Sequence, residues 1–160
     1  MAYLAIALIA LATAAISALL ARSGMKWFRT LRLPEWPLPG RAMVACWGVL
    51  FALAAVSAML AWSGSAVEDR PRVAALYAVD AFLNAAWCYL FFVRHQIGSA
   101  ALEAALLAIA TAVVVLEVFP VSLLAAALLA PFFVWVLTGM YLTLAIFRMN
   151  LKGRQRGGDG

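Results

Sequence analysis

The chain has 160 residues, of which 68% are hydrophobic and 12% charged, with a formal net charge of +5 and a mean hydropathy of +1.01. A soluble domain carries roughly 45–50% apolar and about 25% charged residues, so a water-soluble globule is excluded and lipid is the solvent this composition fits. The basic residues fall in short connections and near the C-terminal end, where membrane topology accounts for them, and they do not point to nucleic acid.

A helix needs roughly 20 apolar residues to cross a hydrocarbon core about 30 Å thick, and five runs of that length follow one another. The first, Met1–Ala21, has no charge. It lacks the basic start of a secretory signal and exceeds the roughly 7–15 apolar residues of such a signal, so it reads as a retained helix. The connection from Arg22 to Ala42 holds Trp27, Phe28, Leu31, Leu33, Trp36 and prolines at 34, 37 and 39. So apolar a segment reads either as a structured lid folded over the helix ends or as an interfacial belt that keeps the helices in register.

The second run is Met43–Trp62, and the third is Val73–Val93, interrupted by Asp80. The fourth, Ile97–Val118, holds Glu103 and Glu117, and the fifth is Val121–Phe147. None shows the strict alternation of barrel strands, and backbone polar groups cannot be left unpaired in hydrocarbon. The fold class expected is therefore an all-α membrane protein, one bundle of five transmembrane helices with a structured loop between helices 1 and 2. Residues 1–150 form that domain, and residues 151–160 form a basic tail without regular structure. One side of the bundle collects Arg22, Lys26, Arg29, Arg32, Arg41, Arg94, Arg148, Lys152, Arg154 and Arg156, the other only Arg70 and Arg72. Ten against two predicts an outside N-terminus and a cytoplasmic C-terminus.

Polar groups within the spans are few. Asp80 near mid-bilayer costs about 2.5–3.5 kcal/mol on insertion scales, so it must face the bundle interior, pair, or carry a proton. Asp80, Asn84 and Trp87 lie at i, i+4 and i+7, on one face of the third helix. That face reads as a stripe that orients a ligand or exchanges protons, or as an interhelical hydrogen bond that sets packing. Glu103 is expected to reach headgroups or to pair with Arg94 or His95, Glu117 to be solvated at the interface, and His95 to be solvated in its loop. Cys46 and Cys88 lie in apolar runs without metal-ligand spacing and read as buried small hydrophobes; no metal site is signalled. Trp27, Trp36, Trp47, Trp87 and Trp135, with Phe91, Phe92, Phe132 and Phe133, either line a concave apolar pocket or serve in packing and interfacial belts.

The order of these residues resembles the TspO/MBR family of tryptophan-rich sensory and translocator proteins over nearly the whole chain. The stretch Trp27-Phe28 to Pro39, with Leu31, Pro34, Trp36 and Pro37, is similar to the family's first loop, followed by Trp47 and Leu50. Asn84, Trp87 and Phe91-Phe92 match its third helix, Pro131-Phe132 and Trp135 its fifth, and Arg148-Met149-Asn150 its terminal Arg-Leu-Asn. The resemblance implies a five-helix bundle, commonly a homodimer, with a pocket beneath the first loop that takes porphyrins and in some members sterols. By position it implies Trp36, Trp47, Asn84, Trp87, Phe132 and Trp135 as pocket residues. Asp80 stands where the family usually has glutamine, Phe51 and Phe132 where it has tyrosine, Thr143 where it has asparagine, and Tyr89 where it has proline. Phenolic hydrogen bonds are lost and one acid is gained, which points either to a different apolar ligand or to one carrying a cationic or hydrogen-bond-donating group for Asp80 to meet.

The ligand-binding set expected is therefore Trp36, Trp47, Phe51, Asp80, Asn84, Trp87, Phe132 and Trp135. The function expected is binding of a planar hydrophobic molecule, porphyrin-like or a sterol or isoprenoid, for transport, sensing or turnover. No cofactor is required, although a bound porphyrin or haem fits the reading. The partners are membrane lipid, the hydrophobic ligand and a second copy of the chain. The competing reading is an intramembrane isomerase, cyclase or degradative enzyme with Asp80 as acid or base and Asn84 orienting the substrate.

Overall fold

In a computed structural model, residues 1–35 and 40–156 are described, apart from the side chains of residues 40–41 and 152–156. The chain forms α1 (Ala2–Phe28), α2 (Gly40–Gly64), α3 (Arg70–Cys88), a π-helical turn (Tyr89–Val93), α4 (Ile97–Val118) and α5 (Leu123–Arg156). Five of these helices are long and apolar enough to cross a membrane, and the protein is an integral, multi-pass, all-α membrane protein.

The helix ends follow from local chemistry. Pro71 opens the first turn of α3, where a missing N–H costs nothing. Phe119 keeps helical dihedrals and donates its N–H to the Val115 carbonyl, and Pro120, which has no N–H to carry the ladder on, closes α4. Ser122 then caps α5, its Oγ accepting the Ala125 N–H at 3.2 Å. Pro131 lies inside α5, and its ring leaves the Ala127 carbonyl without a helical donor, as spanning helices tolerate when neighbours take up the freed group.

Two helices outrun their apolar cores. α1 continues through Arg22 and Lys26 to Phe28, so Trp27 and Phe28 belong to its last turn rather than to the connection. α5 continues to Arg156, into the stretch expected to be an irregular tail, and residues 157–160 lie outside the described residues. In both cases charge marks where the hydrocarbon ends, whereas the backbone keeps making helical hydrogen bonds into the interface.

Around the bundle the helices pack in the order α1, α2, α5, α4, α3 and back to α1, with α4 and α5 sharing the most extensive contact. The α4–α5 seam is close because α4 buries Ala100, Ala101, Ala104 and Ala108, and small residues let spanning helices approach. α1 meets the bundle through a buried stripe of Thr13, Ser17 and Gly24. Gly24 lies directly against the main chain of Phe92 in the π-helical turn. Numerous large apolar side chains face outward, among them Leu4, Leu11, Leu19, Val44, Phe82, Leu102, Leu116 and Leu124, the surface expected of a bundle in lipid.

Candidate functional site

α3 is the polar hub of the bundle, because its interior face presents Tyr77, Asp80 and Asn84 at helical spacing to three neighbours. The Thr111 hydroxyl on α4 donates to Asp80 Oδ1 at 2.6 Å. Ser17 on α1 donates to Asn84 Oδ1 at 3.2 Å. Tyr77 and Ser57 on α2 share a hydrogen bond of 2.7 Å, and Ser57 Oγ donates to the Ala125 carbonyl of α5 at 2.7 Å. Asp80, Asn84, Ser57 and Thr111 are all buried. Each bond joins two helices at a depth where water does not compete, so the interhelical-packing reading of the α3 stripe holds for one oxygen of Asp80.

The other reading has geometry too. A cavity of about 220 Å³ lies between α1, α2 and α3, and Asp80, Asn84 and Tyr77 are among its walls. Its opposite wall is one face of α1, formed by Ala2, Ala5, Ile6, Ile9, Ala10 and Thr13. Alanines 54, 55 and 58 of α2 and 74, 78 and 81 of α3 leave the hollow, since a methyl group fills little of the space between helix axes 8–10 Å apart. Phe51 and Phe132 close its inner end, and Trp62 stands at its outer end with the Arg70 guanidinium 5.6 Å from its ring. Along α3 the lining runs from Val73 to Asn84, about 16 Å at 1.5 Å per residue. The hollow is a narrow apolar slot with one carboxylate near its inner end.

The structure divides the residues singled out from sequence. Phe51, Asp80, Asn84 and Phe132 line the slot. Trp47 and Trp135 stand behind it, edge to face at 6.1 Å, with Trp47 also stacked on Phe51 at 5.5 Å. Trp87 belongs to a separate aromatic cluster, stacked on Phe91 at 5.4 Å and edge-on to Phe92 at 6.0 Å. Trp36 lies outside the described residues. An i+7 spacing keeps Trp87 on the Asp80 face, but two turns carry it about 10 Å along the axis, into the layer that packs against the end of α1.

The first connection and the Asp80 slot are at opposite ends of the bundle. The slot is lined by the first half of α1, whereas the connection follows Phe28, fifteen residues beyond Thr13. What the connection covers is a second hollow of about 700 Å³, bounded by Trp27, Leu31, Arg32, His95, Gln96, Ile97, Phe147 and Asn150. There the Arg32 N–H donates to Asn150 Oδ1 at 3.2 Å, and Asn150 Nδ2 donates back to the Arg32 carbonyl at 3.1 Å. The described part of the connection is thus pinned to the end of α5. His95, exposed as expected, has a φ of 55° and stacks on Trp27 at 4.1 Å. A pocket beneath the first connection exists, but among the described residues none of the expected site residues lines it.

Two acids behave differently from one another. Glu117 pairs with Arg72 at 2.9 Å, both partly exposed, in keeping with its interfacial reading. Glu103 is 7% exposed, and neither of its oxygens has a hydrogen-bond partner among the described residues. It faces the interior of α4, because it shares a helical stripe with Leu107 and Thr111, and it pairs with neither Arg94 nor His95. Tyr77, Trp62, Ser17 and Thr111 are the site residues that sequence reading passed over. Tyr77 was signalled by its place one turn before Asp80, whereas Trp62 and the α1 wall follow only from the packing of separate helices.

The model of the TspO/MBR family matches residues 5–149. The chain belongs to the TspO/MBR family. It is 32% identical over 136 residues to a translocator protein of Sus scrofa, covering 84% of this chain and 80% of that one. It is 29% identical over 126 residues to the uncharacterized membrane protein YtaB of Bacillus subtilis, covering 79% and 81%. It is 27% identical over 126 residues to the protein CrtK of Rhodobacter capsulatus, covering 78% of each.

Proposed function

We propose that this TspO/MBR protein binds a lipid-soluble molecule in the slot between α1, α2 and α3, with Asp80 receiving a hydrogen-bond donor or cationic group of the ligand. The observation that carries this reading is a buried carboxylate on the wall of an alanine-lined cavity. Thr111 takes one of its oxygens, and the second serves the cavity. Nothing in packing alone calls for an acid there, since an amide would hold Thr111 equally well.

The shape of the slot narrows the ligand. Drug-sized ligands occupy pockets of roughly 300–1,000 Å³, so about 220 Å³ in a long slot suits a slender body such as an isoprenoid chain. A planar tetrapyrrole, porphyrin or haem, enters by one edge, or after α1 moves outward. Access is from lipid, past the first half of α1. Transport, sensing and turnover all begin with this binding step. In turnover, the free oxygen of Asp80 is the group placed to move a proton and Asn84 the group placed to orient the substrate. The outside N-terminus and the homodimer belong to the same proposal; with that orientation the slot opens toward the outer leaflet.

Tryptophan fluorescence tests the reading, because Trp62 is the one indole on the wall of the slot among the described residues. Titration of the purified protein with protoporphyrin IX, and separately with an isoprenoid alcohol as competitor, should give saturable quenching that Trp62→Phe removes and Trp135→Phe leaves largely intact. Asp80→Asn should weaken binding of donor-bearing ligands. Quenching that does not saturate with protoporphyrin IX, together with no effect of the isoprenoid alcohol on thermal stability, refutes the proposed slot. Turnover is refuted if Asp80→Asn binds and converts a substrate at the wild-type rate.

A further inference from the structure

The seam between α3 and α4 holds a second set of polar groups, of which only Asn84 also lines the slot. On α4 the buried stripe Glu103, Leu107, Thr111 runs at i, i+4 and i+8, and Thr111 meets Asp80. Because α3 and α4 are consecutive, antiparallel spanning helices, Glu103 lies two turns, about 12 Å, further toward the Trp87 and Cys88 end of α3. There the bookkeeping of hydrogen bonds fails on both sides. Asn84 Nδ2 and Trp87 Nε1 are buried donors without acceptors, and Glu103 Oε1 and Oε2 are buried acceptors without donors. Asn84 is 1% exposed and Glu103 7%.

Orphan donors on one helix and orphan acceptors on its neighbour, too far apart to bond directly, are satisfied together by a molecule that both accepts and donates. Water does this: it accepts from the amide and indole N–H groups and donates to the carboxyl. Charge decides the rest. No Lys, Arg or His reaches the seam among the described residues: Arg22 and Lys26 on α1, and Arg94 and His95 beyond the π-helical turn, are exposed. The titratable groups facing it are Asp80, Tyr77 and the Cys88 thiol on α3; on α5 Tyr141 is 69% exposed and on the π-helical turn Tyr89 is 44% exposed, both turned outward. A buried carboxyl with neither cation nor direct donor is neutralised by a proton.

We propose that Glu103, Asn84 and Trp87 form an internal proton-exchange site bridged by water, and that Asn84 couples it to the ligand slot. Asn84 belongs to both: its Oδ1 is held by Ser17, its Nδ2 serves the seam, and its side chain lines the slot. A ligand that draws on Asn84 takes a donor from the Glu103 water, so filling the slot and moving the Glu103 proton are linked, and the linkage is reciprocal. The coupling half rests on the proposed ligand binding; the proton site does not.

Infrared spectroscopy of the purified protein without ligand tests the site itself. A protonated-carboxyl C=O band is expected near neutral pH. It should shift in deuterated water, disappear in Glu103→Gln, persist in Asp80→Asn and change frequency in Asn84→Ala. Where Glu103→Gln does not fold, carbon-13 labelling of glutamate in the wild type moves the band if it belongs to Glu103, because Glu35, Glu68 and Glu117 are exposed or interfacial. Absence of the band, or its survival in Glu103→Gln, overturns the site. For the coupling, the affinity of protoporphyrin IX read by Trp62 quenching should change between acidic and alkaline buffer at least about 5-fold more in the wild type than in Glu103→Gln, where only Asp80 and the ligand's own carboxyls are left to titrate. An equal pH dependence in both overturns the coupling. No porphyrin binding at all overturns the tetrapyrrole part of the ligand reading and removes the coupling with it, while the infrared result still decides the proton site.

Discussion

Gly24 is where α1 is seated, and adding one methyl group there measures how much the seat matters. A Cβ built at Gly24 would overlap the Phe92 carbonyl oxygen and stand 2.7 Å from both Phe92 Cα and its carbonyl carbon. Ordinary carbon contacts lie at about 3.5–4.0 Å, so α1 and the π-helical turn must separate by about 1 Å. The obstacle is backbone, which cannot rotate away, and overpacking of this kind costs about 1–3 kcal/mol, here toward the upper end. Alanine returns about 1 kcal/mol of helix propensity, leaving Gly24→Ala destabilised by about 2 kcal/mol. For a chain of this length that corresponds to a fall in Tm of about 4–8 °C, measured by circular dichroism in detergent. Gly48→Ala and Gly139→Ala, where nothing lies within 4 Å of the added carbon, should hold or slightly raise Tm. Displacement of α1 also strains the Ser17–Asn84 bond one helical stripe away, so protoporphyrin IX binding in the slot should change in Gly24→Ala and not in the controls. A Gly24→Ala protein as stable as Gly48→Ala would refute the close approach of α1 to the π-helical turn.

Thr111→Val should lower stability by about 1–3 kcal/mol, since it strips the buried Asp80 carboxyl of its partner. Asp80→Asn keeps an acceptor for Thr111 and should lose less than about 1 kcal/mol; thermal melts of both decide. Ser57→Ala removes the link between Tyr77 and the Ala125 carbonyl and should cost about 1–2 kcal/mol, whereas Glu117→Gln at the exposed pair with Arg72 should cost no more than about 1 kcal/mol. Asn150→Ala frees the main chain of Arg32, so trypsin should cut after Arg29 or Arg32 faster than in the wild type, at unchanged Tm; an unchanged cleavage rate would show that the connection is not held there.

The number of helices, their membrane setting and the family were legible in the chain itself, because hydrocarbon imposes a length and a composition that can be counted residue by residue. Asp80 and Asn84 were legible as well: one helix sets their spacing, and a carboxyl in an apolar run is conspicuous. What lies between helices was not written in any one of them. Trp87 shares the face of Asp80 yet joins Phe91 in another layer, because depth along the axis counts as much as angle around it. Trp62 and the first half of α1 became walls of the slot only once α1, α2 and α3 were set side by side, with alanines at the facing positions. Glu103 sits four residues from the apolar Leu107 in a run that ends near the interface, and sequence alone permitted it to reach water. Only the packing of α4 against α3 and α5 turned it inward, since the direction of a side chain depends on which neighbours occupy the space around its helix.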